Sequence, residues 1–187
     1  TAASNTIDAG SGNNTISVTA AYNSISATSG NDIVSATGGY NTISVGDGTN
    51  AVTAYGGYNK ITTGSGADTI KAYGGANSIT AANGDNNISA EGGSNTISSG
   101  TGADTISVTG ASNSVTTGSG NDKVTATGAS NTISTEAGDD TISVTAASNK
   151  ISSGDGNDTI SATAASNTID AGSGNNTISV TAAYNSI

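Results

Sequence analysis

The sequence predicts an all-β fold: a two-sided parallel β-solenoid, or β-roll, with eighteen residues per turn built from two nine-residue strand-and-turn units. Three observations predict it. Counted in nines from Thr1, the register runs without insertion or deletion through all 187 residues. Position seven of every unit is Ile or Val, from Ile7 and Ile16 onward to Ile187. Position five of every unit is Asn or Asp.

Each element follows from that pattern. Positions six and eight are mostly Thr, Ser or Lys around an apolar position seven. This alternation places five, seven and nine inward and six and eight outward on a short strand, and Ile, Val and Thr suit a pleated surface. The Gly-, Ser- and Asn-rich residues that follow suit a tight turn, with Gly supplying positive φ. Two units complete one layer, and layers stack at the strand spacing of about 4.8 Å. The core is then two facing columns of Ile and Val, with small residues such as Ala9, Val18, Ala27 and Ala36 setting a thin gap.

The two units of a layer differ. Odd units carry only Asn at position five: Asn5, Asn23, Asn41, Asn59, Asn77, Asn95, Asn113, Asn131, Asn149, Asn167 and Asn185. An amide both donates and accepts, so this edge is expected to form a structural ladder from layer to layer. Even units mix Asn14, Asn50, Asn86 and Asn176 with Asp32, Asp68, Asp104, Asp122, Asp140 and Asp158. Stacked carboxylates repel unless a cation lies between layers. One edge is thus expected to be held by amides and the other, in part, by ions.

Composition narrows the function. Only eleven residue types occur, and Leu, Phe, Trp, Met, Cys, His, Pro, Arg and Gln are absent. That leaves no material for a thick core, no disulfide or thiolate site, and none of the common nucleophile–base pairs. The chain is therefore read as not an enzyme. A net charge of −10, from 14 acids against 4 Lys, argues against nucleic acid or an anionic membrane as partner. No run is apolar enough to span a bilayer.

Residues 1–25 return unchanged as residues 163–187. The whole chain, 1–187, is read as one continuous solenoid segment, a window onto a tandem array with a 162-residue unit of nine layers.

The even units resemble the repeats-in-toxin (RTX) nonapeptide of calcium β-rolls, G-G-x-G-x-D-x-U-x. The matching stretches are "GSGADTI" (Gly64, Gly66, Asp68), "GTGADTI" (Gly100, Gly102, Asp104), "GSGNDKV" (Gly118, Gly120, Asp122) and "GDGNDTI" (Gly154, Gly156, Asp158); "EAGDDTI" with Asp140 lacks the leading Gly. The resemblance implies calcium as the one cofactor, held by Asp68, Asp104, Asp122, Asp140 and Asp158 with turn carbonyls. The consecutive Asp104 to Asp158 would bracket three inter-layer sites. The odd units also look like the N-x-V repeats of the plant ice-binding β-roll. Their outward ranks here are Thr96/Ser98, Ser114/Thr116 and Thr132/Ser134 on one face, and Thr141/Ser143, Thr159/Ser161 and Thr177/Ser179 on the other. Lys60, Lys71, Lys123, Lys150, Asp8, Asp170, Ile33 and Ala51 interrupt them. Tyr22, Tyr40 and Tyr58 share one edge and are expected to stack.

Uniform layers suit a spacer better than a binding module with one special patch. The expected function is a structural extracellular fibre, adhesin shaft or surface or matrix filament, with the protein itself as partner through end-to-end or lateral assembly and a bacterial, cell-surface setting. The alternatives are an ice-binding surface and a calcium-dependent secretion or folding module of a larger secreted protein.

Overall fold

A computed structural model describes residues 4–187; Thr1, Ala2 and Ala3, the first residues of the recurring segment, lie outside the described residues. Strands of the odd units, from β1 (Thr6–Asp8) to β19 (Thr168–Asp170), form one ten-stranded sheet, and strands of the even units, from β2 (Thr15–Val18) to β20 (Thr177–Val180), form the other. All pairings are parallel and in register with the strand eighteen residues away: Ile7 lies opposite Ile25, Ile88 opposite Ile106, and Ile160 opposite Ile178. This is a β-solenoid of about ten eighteen-residue layers, the architecture the nine-residue register predicts.

Burial follows the strand alternation. Position seven is sealed in nearly every layer, with Ile43, Ile70, Ile88 and Ile160 at 0 % exposure, while the flanking positions face out. Position nine closes the gap between the sheets with Ala, Val, Ser or Thr. Each Ile contacts its copies above and below, so the core is a continuous thin ribbon whose stability accumulates layer by layer.

The turns divide the work of positive φ differently from expectation. In the even units Gly holds it at position three, as in Gly138 with φ 142°. There a Cβ would stand 1.9 Å from the carbonyl oxygen of Gly120 in the preceding layer, so both the conformation and the close stacking demand Gly. In the odd units position four is left-handed, and it is not Gly: Tyr22, Tyr40, Tyr58, Ser94 and Ser130 all sit near φ 60°. The following Asn compensates for that cost by tying its amide back to a carbonyl of its own turn, as Asn77 Nδ2 does to Gly74 O at 2.8 Å. Tyr22, Tyr40 and Tyr58 stack along this edge with ring centroids 4.9 and 4.8 Å apart, and Tyr55 and Tyr73 stack at 4.9 Å. Among the described residues no helix is long and apolar enough to cross a membrane.

Candidate metal centre

Position five points inward at both edges, and its side chains are buried: Asn41, Asn95, Asp68, Asp104 and Asp158 are each 1 % exposed. On the odd edge the amides both donate and accept. Asn77 donates both its backbone N–H and its Nδ2 to Asn95 Oδ1, at 2.9 and 3.1 Å, and sends its other amide hydrogen to Gly74 O. Asn41 and Asn59, and Asn113 and Asn131, repeat the arrangement.

The even edge keeps half of this scheme. Asp104 N–H donates to Asp122 Oδ1 at 2.8 Å, Asp122 to Asp140 at 2.8 Å, Asp140 to Asp158 at 2.9 Å and Asp158 to Asn176 at 2.8 Å. A carboxylate therefore replaces the amide oxygen without loss, and the inter-layer backbone bond survives at every Asp. The missing part is the amide hydrogen. Asn50 Nδ2 donates to Gly46 O at 2.9 Å and Gly48 O at 3.3 Å, and Asn86 Nδ2 to Ala82 O at 3.2 Å and Gly84 O at 2.8 Å. With Asp in the same register, the second oxygen has nothing to donate. Oδ2 of Asp32, Asp68, Asp104, Asp122, Asp140 and Asp158 is buried without a hydrogen-bond partner.

Burial raises the pKa of three acids of this column, Asp104, Asp122 and Asp140. It pushes Asp122 from 3.8 up to about 6. The Thr117 hydroxyl and the Asp104 backbone N–H oppose the rise, and the Asp104 and Asp140 carboxylates add to it. Asp104 is raised for the same leading reason, against the Ser99 hydroxyl and the backbone and side chain of Asn86, with Asp85 adding to it. Asp140 is raised likewise, against the Thr135 hydroxyl and the Asp122 backbone, with Asp158 and Asp139 adding.

Chemically, the edge offers carboxylate and carbonyl oxygens, the hard donors that Ca²⁺ takes, and no nitrogen or sulfur. The orphaned buried Oδ2 atoms fit a bound cation. Among the described residues no three acidic side chains gather into one cluster; the carboxylates are dealt one per layer. Asp68, Asp104, Asp122, Asp140 and Asp158 all lie in this column. The structure changes what they present, because each Oδ1 is already committed to the layer before it. Each Asp is left with one carboxylate oxygen, Oδ2, free of hydrogen bonds.

Two features escape the sequence reading. Asp32, left out of the implied calcium ligands, presents the same orphaned Oδ2 although its turn begins with Thr28 in place of Gly. Position nine, read as a spacer, contributes the buried hydroxyls of Thr63, Ser99, Thr117, Thr135 and Ser153; their spacing to the acids was the available signal. Outside the column, position four forms a second, exposed ladder of opposite sense: Asp139 N–H donates to Asn121 Oδ1 at 3.0 Å and Asn157 N–H to Asp139 Oδ1 at 2.7 Å.

A family model described as RTX calcium-binding nonapeptide repeat (4 copies) matches residues 1–20, 26–61, 44–79 and 53–88, which include Asp32 and Asp68. A second, described as a protein of unknown function (DUF3060), matches 73–129 and 108–166, just over half of the chain, and includes Asp104 to Asp158. No curated protein and no solved structure matches.

Proposed function

The chain is an RTX-like β-roll repeat that also belongs to the DUF3060 family, and on that premise we propose that it is a structural spacer of an extracellular bacterial filament or adhesin shaft, with calcium setting the Asp edge. The observation that carries this reading is the asymmetry of the two edges. Among the described residues one edge leaves no buried amide atom unpartnered, whereas the other leaves a buried carboxylate oxygen unpartnered in six layers. The first holds the shaft together unconditionally; the second makes its rigidity depend on cations.

Asp68, Asp104, Asp122, Asp140 and Asp158, with Asp32, would hold the ions together with turn carbonyls. Bound calcium would supply the positive charge that these desolvated oxygens lack. The protein's own residues do the rest: Oδ1 fixes each carboxylate against the neighbouring backbone, and the Ile column excludes water from one side. The return of residues 1–25 as 163–187 supports a tandem array in which each unit adds nine layers, about 43 Å at the usual strand spacing. Self-association between such shafts and a role as the repeat module of a larger secreted protein belong to the same reading.

Electron microscopy of the purified protein with calcium and with a chelator tests it. Thin, uniform, rod-like particles that stiffen or lengthen with calcium are expected. Globular or disordered particles in both conditions would sink the spacer role. A second reading, ice binding, draws on the outward hydroxyls in strict register, Thr141 opposite Thr159 and Thr159 opposite Thr177. Inhibition of ice recrystallisation at low protein concentration would favour it.

A further inference from the structure

Hydroxyl side chains face the core at position nine in five odd units, and their placement is not random. Thr63, Ser99, Thr117, Thr135 and Ser153 each stand five residues before an acid of the buried column: Asp68, Asp104, Asp122, Asp140 and Asp158. Where the column carries Asn14, Asn50, Asn86 or Asn176, the same position is Ala9, Val45, Ala81 or Ala171. Asp32, preceded by Ala27, is the single acid without a hydroxyl. Val45 and Ala81 are buried in the same column, so the core does not require a hydroxyl there.

Counting hydrogens shows what the pairing lacks. Ser99 Oγ donates to Thr117 O at 3.0 Å, Thr117 Oγ1 to Thr135 O at 3.2 Å, Thr135 Oγ1 to Ser153 O at 3.1 Å and Ser153 Oγ to Ala171 O at 3.1 Å. A hydroxyl has one hydrogen, and in these four it is committed to the next layer. The Ser99, Thr117 and Thr135 hydroxyls nevertheless lie beside the carboxylates of Asp104, Asp122 and Asp140, whose Oδ2 atoms have no partner. In the fifth pair both Thr63 Oγ1 and Asp68 Oδ2 are buried and unpartnered. At Asp104, Asp122 and Asp140 a single hydroxyl hydrogen thus has two acceptors, the next-layer carbonyl and the carboxylate. Turning the hydroxyl toward the acid would strip the carbonyl of its donor. A cation satisfies both oxygens and leaves the inter-layer bond intact.

We infer that these five hydroxyls are ligands of the cation sites, each site pairing a Ser or Thr Oγ with the carboxylate five residues later, and that the ion is a hard divalent cation of the calcium type. The inference rests on the reading that the Asp edge takes calcium, and it adds a donor outside the Gly- and Asp-rich turn. It also ranks the sites: Asp32, lacking the hydroxyl, binds more weakly than the other five.

Calorimetric titration of the folded chain with calcium chloride tests this. The combined variant Thr63→Val, Ser99→Ala, Thr117→Val, Thr135→Val and Ser153→Ala should weaken binding about 10- to 100-fold, while its far-ultraviolet circular dichroism in EDTA stays that of the parent. Ala27→Thr should add one ion to the tight class, and Thr117→Ser should bind as the parent does. If the combined variant is unfolded in EDTA, Thr117→Val alone decides: loss of one tight ion supports the inference, and unchanged stoichiometry and affinity overturn it. Parent-like binding by the folded combined variant overturns the hydroxyl role and leaves calcium on the Asp edge standing. No calcium binding by the parent itself overturns both.

Discussion

Asp122→Asn should stabilise the calcium-free protein, although it removes a charge from the sequence pattern that implies calcium. Two contributions add. Burial raises the Asp122 carboxyl from 3.8 to about 6, which corresponds to at most roughly 3 kcal/mol at neutral pH; solvent screening at the solenoid edge cuts this to about 1–2 kcal/mol. The new amide also gains donors where Oδ2 had none. By analogy with Asn50, which reaches Gly46 O and Gly48 O, it meets Gly118 O and Gly120 O, for about 1 kcal/mol net per bond. The sum is about 3–4 kcal/mol, or roughly 6–16 °C in melting temperature for a chain of this size. Thermal melting in EDTA at pH 7.5, followed by circular dichroism, measures it. In saturating calcium the order should narrow or invert, because the parent gains one more bound ion than the variant. A variant that melts at or below the parent in EDTA would refute the claim that the orphaned carboxylate oxygen is a cost to the calcium-free fold.

The same shift has a pH sign. The folded carboxyl of Asp122 lies above its unfolded value, so its contribution is fully favourable below about 3.8 and is lost as pH rises through about 6; the calcium-free parent should melt progressively lower across that window, and Asp122→Asn should flatten the dependence. On the amide edge, Asn95→Ala strands the Asn77 N–H and the Gly92 carbonyl, which it now serves at 2.9 Å each, and should cost about 2–5 kcal/mol in urea denaturation, whereas exposed Thr96→Ala stays within about 0.5 kcal/mol. Gly138→Ala forces a Cβ against the Gly120 carbonyl at a φ of 142° and should cost more than about 3 kcal/mol, read as loss of parallel-sheet signal or a midpoint drop. Tyr40→Ala removes both of its stacking contacts and should cost about 1–3 kcal/mol; an unchanged midpoint would make the tyrosine ladder ornamental to stability.

The sequence by itself determined the solenoid, because a strict nine-residue period leaves little freedom. With Ile or Val at seven, polar neighbours at six and eight and Asn or Asp at five, a one-residue slip would turn every apolar side chain to solvent. It also marked Asp68, Asp104, Asp122, Asp140 and Asp158 as a set apart from the all-Asn edge. What each carboxylate oxygen does was not legible there, since that depends on contacts between residues eighteen apart. Only the stacked structure shows that Asp122 Oδ1 is consumed by the Asp104 N–H while Oδ2 is left over. The left-handed Tyr and Ser of the odd turns were hidden for a related reason. Local propensity assigns positive φ to Gly, and it is overridden where a buried Asn amide and the next layer fix the backbone from outside the turn. Thr117 shows the limit most plainly: in one dimension it is a small residue in a spacer position, and only folding sets its hydroxyl against Asp122 and counts one hydrogen too few.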